Sequence, residues 1–315
     1  MQNSNLDKKS SSIFSKISFL LIIAICSTSL INSAIALILG FLFSNFIGHP
    51  FIHINRKAIS WLLKIAVIGL GFGMNIQETF RASNDAFLLT IISIVVVIAG
   101  GFVLGKALKI RKETTHLISS GTAICGGSAI ATVAPVIGAT EKDISISLGA
   151  VFLLNSIALI IFPYIGHLLG LTQYEFGIWC AIAIHDTSSV VGAALTYGDQ
   201  ALQVATTVKM ARVLWIIPLS ILSMFMFKGK NNNIKIPWFI LLFVFAIILN
   251  SYSMINNSVA VVITDLAKRI LVVTLFLVGA GLTFEMIRTA GWKSMLLGIC
   301  LWMIISVFSL LYITF

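Results

Sequence analysis

Two clusters of glycine and polar residues interrupt stretches of the sequence that are otherwise apolar. The first cluster contains Thr122, Gly126, Gly127 and Ser128. Each glycine weakens a helix by about 1 kcal/mol and lets the backbone approach a ligand closely. A helix that breaks here exposes N–H groups at the start of its second half, and such groups attract anions. The cluster therefore predicts a substrate-binding turn. The structural alternative is a Gly/Ser surface for helix packing.

The second cluster is the run His185, Asp186, Thr187, Ser188 and Ser189. An imidazole titrates near neutrality, and a buried carboxylate takes up a proton more readily than an exposed one. We therefore assign His185 and Asp186 to proton coupling, and Thr187 and Ser188 to substrate binding. The structural alternative is that Asp186 caps the following helix by accepting from the N–H of Ser188 or Ser189.

Two cations, Lys209 and Arg212, lie nine and twelve residues beyond Gln200 in a later apolar stretch. At 1.5 Å per residue they would lie roughly 14–18 Å deep, on one face of a helix. Cations at that depth face a cavity, an anion or a carboxylate. We expect both to bind substrate. If Asp186 is paired with Arg212 while the site is empty, an incoming anion can compete for the arginine. A purely structural ion pair with Asp186 is the alternative.

The elements that must position these residues are membrane spans. Of the 315 residues, 58% are hydrophobic and 10% are charged, and no soluble domain of this size hides that much apolar surface. Since about 20 residues cross the hydrocarbon, the sequence predicts an all-α membrane protein with about eleven transmembrane helices. These spans are 17–30, 33–47, 58–73, 86–108, 114–138, 144–170, 174–197, 200–227, 236–254, 259–287 and 291–313.

The ends of the chain complete this organisation. Residues 1–16 are polar and are expected to form a disordered cytoplasmic tail. Residues 17–315 are expected to form a single polytopic transmembrane domain. The first two spans are short and could instead be one tilted helix, which would give ten spans.

The positive charges are distributed unequally between the two predicted sides. Fourteen of the 21 Lys and Arg residues fall on the side that contains the N-terminus, four fall on the other side, and the rest lie inside spans. This bias predicts a cytoplasmic N-terminus and an external C-terminus. It also accounts for the net charge of +10 without a nucleic-acid partner.

Several classes of chemistry have no pattern to support them. The four cysteines lie inside apolar stretches without a C-x-x-C pair, and so predict neither a disulfide framework nor a zinc site. No Walker sequence is present. The segment around Ser128 resembles a membrane serine-protease site but lacks the glycine that should follow the serine. We expect no enzyme, cofactor or metal.

Two internal similarities are visible in the sequence. Residues 123–134 parallel residues 183–194, and residues 71–76 parallel residues 279–284. Internal repeats are characteristic of secondary transporters. The two pairs occur in opposite order along the chain, so one simple duplication does not explain both, and chance similarity between Gly/Ala-rich helices is the alternative.

Three stretches together resemble the YeiH family of bacterial inner-membrane proteins, which are labelled sulfate exporters. They are 121–131 with Pro135, 176–193, and 205–212 leading to Pro218. The family is grouped with the cation:proton antiporter and bile-acid symporter superfamily, which implies inverted repeats with discontinuous, crossed helices. Asp186 stands where other members carry Glu, and this difference favours a carboxylate role.

The residues and the resemblance together predict a multi-pass secondary transporter of the bacterial plasma (inner) membrane. Its expected substrate is a small anion, sulfate or sulfonate-like; the family label suggests export, and proton coupling is left open. The expected partners are the anion, protons and membrane lipid, with a homodimer left open. The first rival is a sodium/proton antiporter, which needs paired carboxylates and is disfavoured by Lys209 and Arg212. The second is a membrane protein that transports nothing.

Overall fold

The computed structural model describes residues 13–28, 31–227, 238–282, 284 and 291–314. Every regular element within these ranges is an α-helix, which confirms the predicted fold class. In chain order the helices are α1 (Ile13–Cys26), α2 (Ser33–Phe46), α3 (Ile52–Gly71), α4 (Ile76–Asp85), α5 (Phe87–Ala107), α6 (Lys112–Ala123), α7 (Gly127–Ile137), α8 (Glu141–Leu168), α9 (Gln173–Ala183), α10 (Thr187–Tyr197), α11 (Asp199–Val213), α12 (Ile216–Phe227), α13 (Phe239–Ser251), α14 (Asn257–Ala280) and α15 (Trp292–Thr314).

The helices reproduce the character of the predicted spans but not their number. Among the described residues, four segments are long and apolar enough to cross a membrane: α5, α8, α11 together with α12, and α15. The count of eleven is therefore not confirmed. The prediction treated each apolar stretch of the sequence as one span. Several of these stretches fold as helices of 10–17 residues or as two half-helices separated by a break.

The structure bears on the predicted N-terminal tail at residues 13–16. Helix α1 begins at Ile13, so the last four residues of the expected disordered tail are helical. Residues 1–12 lie outside the described residues. The chain divides into two compact units, Met1–Ile76 with Phe239–Phe284 and Gln77–Trp238 with Glu285–Phe315. A single transmembrane domain over 17–315 stays a prediction.

The first unit is built around a close crossing of α2 and α14. A methyl group on Gly40 would overlap the backbone carbonyl of Phe276, and one on Gly279 would overlap the carbonyl of Leu37. Small residues of this kind let membrane helices approach to backbone contact, where van der Waals packing supplies the association.

The turns that follow α3 and α14, which the sequence paired as similar, are held in the same way. Asn250 Nδ2 donates to the carbonyl of Met74 at 3.1 Å, and Asn45 Nδ2 donates to the carbonyl of Leu282 at 3.0 Å. Carbonyls in such turns, like those at the helix end itself, have no intrahelical partner. Each amide therefore satisfies a backbone group that hydrocarbon could not.

The second unit contains all the predicted site residues. Helix α8 packs against α6 and α10, while α11 packs against α9 and α10. An apolar cluster that includes Leu117, Ile130 and Val151 joins α6, α7 and α8. At one end, Thr140 caps α8 in a capping box with Asp143, and Asp143 also accepts from Thr114 Oγ1 at 2.6 Å, which fixes the start of α8 to α6.

Candidate functional site

Two of the helical segments in the second unit are broken, each for three residues. Helix α6 ends at Ala123 and α7 begins at Gly127, while α9 ends at Ala183 and α10 begins at Thr187. The sequence predicted breaks at Gly126–Gly127 and at Asp186–Ser188, and the structure places both within two residues of those positions. The discontinuous helices are therefore present.

The two breaks contact each other. Gly126 has φ 61° and ψ −124°, a backbone conformation that side chains with a Cβ rarely adopt. A Cβ on Gly126 would lie 3.3 Å from both Cα and Cβ of Asp186. Position 126 therefore requires glycine for two reasons: the backbone conformation of the turn, and the close approach of Asp186 in the second break.

Asp186 caps the helix that follows it. Its Oδ2 accepts from the N–H of Ser188 at 3.1 Å and also from the Ser188 hydroxyl. The structural alternative considered for this residue is therefore realised in the fold. The carboxylate stays half-buried rather than fully enclosed, so capping and proton transfer remain compatible roles.

His185 is held by its backbone, not by its ring. Its N–H donates to Asn155 Oδ1 at 3.0 Å, and the N–H of Asp186 donates to the same oxygen at 3.2 Å. The imidazole is 1% exposed, and neither of its nitrogens has a hydrogen-bond partner among the described residues.

Asn155, on α8, is the site residue that the sequence analysis missed. It lies 14 residues after Glu141, which is about 21 Å along the helix axis. A lone amide at that depth in an apolar span is expensive and commonly functional, and this signal could have identified it.

Lys209 neutralises the end of α9. Its Nζ donates to the carbonyl of Ile184 at 2.7 Å and to that of Ala181 at 3.3 Å, and the residue is fully buried. The C-terminus of a helix carries partial negative charge and unpaired carbonyls, and a cation there satisfies both.

Arg212 performs the same task at the end of α6 and retains unused donors. Its Nε donates to the carbonyl of Ala123 at 2.8 Å. The residue is 0% exposed, yet Nη1 and Nη2 have no partner among the described residues. A buried guanidinium with two free NH2 groups presents a planar fork suited to an oxyanion.

The ion pair between Asp186 and Arg212 that the sequence suggested as an alternative is absent from the described residues. Within the described residues, no nitrogen of Arg212 or Lys209 lies within 4.0 Å of the Asp186 carboxylate. The reason is competition, since each cation is drawn to helix-end carbonyls and the carboxylate is drawn to Ser188. Asp186 does interact electrostatically with Lys209.

The other predicted site residues occupy different environments. Thr122 is 1% exposed and its hydroxyl has no partner among the described residues. Thr187 is buried at the start of α10. Gly127 is half-buried against Phe152, and Ser128 is exposed, with no hydrogen bond from its hydroxyl to the other site residues. The structure therefore does not bring Ser128 to the contact between the breaks.

Together these residues form a buried region that is rich in donors, which we call the break junction. It comprises the two breaks with Thr122, Asn155, Lys209 and Arg212. Its polar atoms without a partner among the described residues are Thr122 Oγ1, Asn155 Nδ2, both His185 ring nitrogens, Arg212 Nη1 and Arg212 Nη2. In the part of the chain that the structure describes, no three His, Cys, Asp or Glu side chains group as metal ligands.

Comparison with known proteins places the chain in a family. A family model described as conserved hypothetical protein 698 matches residues 12–298. A UPF0324 membrane protein of Bacteroides thetaiotaomicron is 46% identical over 288 residues, which cover 90% of this chain and 87% of the relative. The UPF0324 membrane protein PBPRB0970 of Photobacterium profundum is 50% identical over 295 residues, which cover 94% of this chain and 90% of the relative. No solved structure matches the chain. The chain therefore belongs to the family of conserved hypothetical protein 698, the UPF0324 membrane proteins, which is the YeiH family that its motifs resemble.

Proposed function

We propose that this membrane protein is a secondary transporter of a small oxyanion, sulfate or sulfonate-like, in the bacterial plasma membrane. The observation that carries the proposal is Arg212, a fully buried guanidinium whose Nη1 and Nη2 have no partner among the described residues. The export direction follows the family label, and a proton is the expected coupling ion.

The energetics of Arg212 favour an anionic ligand. Arginine cannot lose its proton in a protein, so burial cannot neutralise it. An uncompensated buried charge costs several kcal/mol, and the neutral carbonyl of Ala123 compensates only Nε. An anion at the break junction would offset this cost directly.

The geometry of Arg212 favours an oxyanion over a halide. Because Nε is already bonded to Ala123, the guanidinium offers its end-on edge, with two parallel N–H directions. Two oxygens of one oxyanion accept both, whereas a single halide ion cannot occupy both directions equally well. Broken helices at membrane depth are also the usual place for a transporter's substrate site.

We assign the coupling of proton movement to Asp186 and His185. The Asp186 carboxylate is half-buried, lies next to the break junction and interacts electrostatically with Lys209. An incoming anion would make the charged carboxylate less favourable, since like charges repel strongly where water is excluded. Asp186 would then take up a proton as the anion binds, and release it as the anion leaves.

The test is flux of radiolabelled sulfate in proteoliposomes, with and without a pH gradient. We expect the wild type to exchange sulfate and Arg212→Gln to abolish the exchange while remaining folded. The matched control is Arg81→Gln, because the Arg81 side chain is 79% exposed, and it should exchange as the wild type does. Equal flux in Arg212→Gln and wild type would make Arg212 a structural residue only.

The rival function is sodium/proton antiport, and the half-buried carboxylate of Asp186 is the observation in its favour. Such a site normally pairs carboxylates, whereas the break junction carries two buried cations. The same proteoliposomes decide the question with radiolabelled sodium. Sodium flux that depends on Asp186, without sulfate flux, would replace our proposal. Absence of both fluxes would favour a membrane protein that is not a transporter.

A further inference from the structure

Asn155 is the one residue of the break junction that comes from the long helix α8, and both ends of its amide can be assigned. Its Oδ1 accepts from the N–H groups of His185 and Asp186. If the amide were turned over, its NH2 group would face two N–H donors and gain nothing. The orientation is therefore fixed by chemistry, and Nδ2 must point away from the second break.

Asn155 Nδ2 has no hydrogen-bond partner among the described residues, and Asn155 is 2% exposed. Native proteins rarely leave a buried donor unpaired, because its desolvation is then uncompensated. None of the described residues accepts a hydrogen bond from it. Arg212 Nη1 and Nη2 are donors and cannot accept, and the Asp186 carboxylate accepts through Oδ2 from Ser188.

The position of Asn155 places this donor at the same junction as Arg212. Asn155 contacts the backbone of the second break, and Arg212 contacts the carbonyl of Ala123, where the first break begins. The two breaks contact each other through Gly126 and Asp186. Donors from α8 and α11 therefore belong to the same break junction.

We infer that Asn155 is a ligand-binding residue whose Nδ2 donates to an oxygen of the bound oxyanion, while its Oδ1 holds the second break in place. This inference rests on the proposed function and extends it. The ligand class is an oxyanion with at least three acceptor oxygens, two for the Arg212 fork and one for Asn155. The same side chain thereby links the ligand to the backbone of His185 and Asp186.

The sharpest variant is Asn155→Asp. Aspartate keeps an oxygen for the two backbone N–H groups, so it preserves the anchor of the second break. It replaces the NH2 donor with an acceptor that repels an anion. Sulfate affinity should fall by about tenfold or more, since a hydrogen bond to a charged group is lost. Because a protonated aspartate again offers a donor, the ratio of the variant's affinity to that of wild type should recover as the pH falls.

The measurement is a sulfate titration of the purified full-length protein in detergent, followed by its thermal unfolding temperature. Asn155→Thr serves as the second variant if the aspartate does not fold, because it removes the amide donor without adding a charge. The control is Asn250→Asp in the first unit, because the Asn250 amide donates to a backbone carbonyl, that of Met74, away from the break junction. It should lower the unfolding temperature without changing sulfate affinity.

Each outcome has a distinct meaning. Weaker sulfate binding in both Asn155 variants, with Asn250→Asp unchanged, supports the inference. Wild-type affinity in either folded Asn155 variant overturns it and leaves the proposed function intact. An equal loss in Asn250→Asp also overturns it, because the effect would then be general. Wild-type protein that does not respond to sulfate overturns the proposed function, and this inference with it.

Discussion

Helix α6 stops at Ala123 and α7 starts at Gly127, and sixty positions further along α9 stops at Ala183 and α10 starts at Thr187. Both second halves are 11 residues long and both end at a glycine cap. A buried cation from α11 binds the carbonyl end of each first half. The backbone of the two segments is thus constructed in the same way.

The side chains of the two breaks are not alike. The first break turns through Gly126, and its cation, Arg212, keeps two donors unused. The second break carries His185 and Asp186, and its cation, Lys209, binds two carbonyls. One construction can therefore serve two tasks. We expect the first break to receive the ligand and the second to hold the titratable groups.

The largest effect is expected where the two breaks touch. Gly126→Ala should lower the free energy of unfolding by about 3 kcal/mol, since the backbone conformation is strained for alanine and its Cβ would press on Asp186. Gly138→Ala is the matched control, with φ 66° and nothing within 4 Å of the added Cβ, and should cost about 1 kcal/mol. Thermal unfolding in detergent measures both, and equal shifts would show that the contact between the breaks is unimportant.

A second change tests whether Lys209 is mainly structural. Lys209→Met leaves the carbonyls of Ile184 and Ala181 without a donor, and should lower the free energy of unfolding by about 1–3 kcal/mol. Lys142→Met, at an exposed position, is the control and should change little. A Lys209→Met protein as stable as the control would contradict the assigned role of Lys209 at the end of α9.

A smaller effect is expected for Arg212→Lys, which tests whether sulfate binding needs the shape of the guanidinium or only its charge. Arg212→Lys keeps a cation near Ala123 but loses the planar fork, so sulfate affinity should fall by about tenfold with little change in stability. The control Arg81→Lys should bind sulfate as wild type does. Retention of full affinity by Arg212→Lys would show that a point charge is enough. It would contradict the two-donor oxyanion geometry proposed for Arg212.

The smallest effect on stability is expected for Asp186→Asn. Asparagine caps helices about as well as aspartate, so the free energy of unfolding should change by less than about 0.5 kcal/mol. In wild type, sulfate exchange should depend on pH, because the proposed mechanism couples the anion to a proton carried by Asp186. The variant should exchange sulfate at a rate that does not depend on pH. Sulfate exchange that still depends on pH in Asp186→Asn proteoliposomes would show that a group other than Asp186 carries the proton.

The sequence located the breaks because their causes are local. Two successive glycines at Gly126, and a carboxylate followed by hydroxyls at Asp186, disfavour helix whatever surrounds them. The all-α class followed from composition for a similar reason. The number of spans was not confirmed, since an apolar stretch does not state whether it forms one helix or two half-helices.

The partners within the site could not be read from the sequence because they depend on long-range packing. Opposite charge suggested that Asp186 pairs with Arg212, but the backbone carbonyl of Ala123 competes for the guanidinium, and backbone groups leave no mark in a sequence. Ser128 shares the first cluster with Gly126, yet it lies on an exposed face of α7. Asn155 does carry a local signal, a single amide in an apolar span, but the two breaks carry stronger motifs.

The bonds from α11 to the ends of α6 and α9 bear on how the chain enters the membrane. A cation at the centre of an isolated helix costs about 2.5–3.5 kcal/mol on insertion, and α11 contains two. Their acceptors, the carbonyls of Ala123 and Ile184, belong to segments that are synthesised earlier. By the time Lys209 and Arg212 leave the ribosome, both acceptors already exist. Biogenesis should therefore proceed with α6 and α9 retained beside the translocon until α11 joins them, so that the three helices pass into lipid as one group.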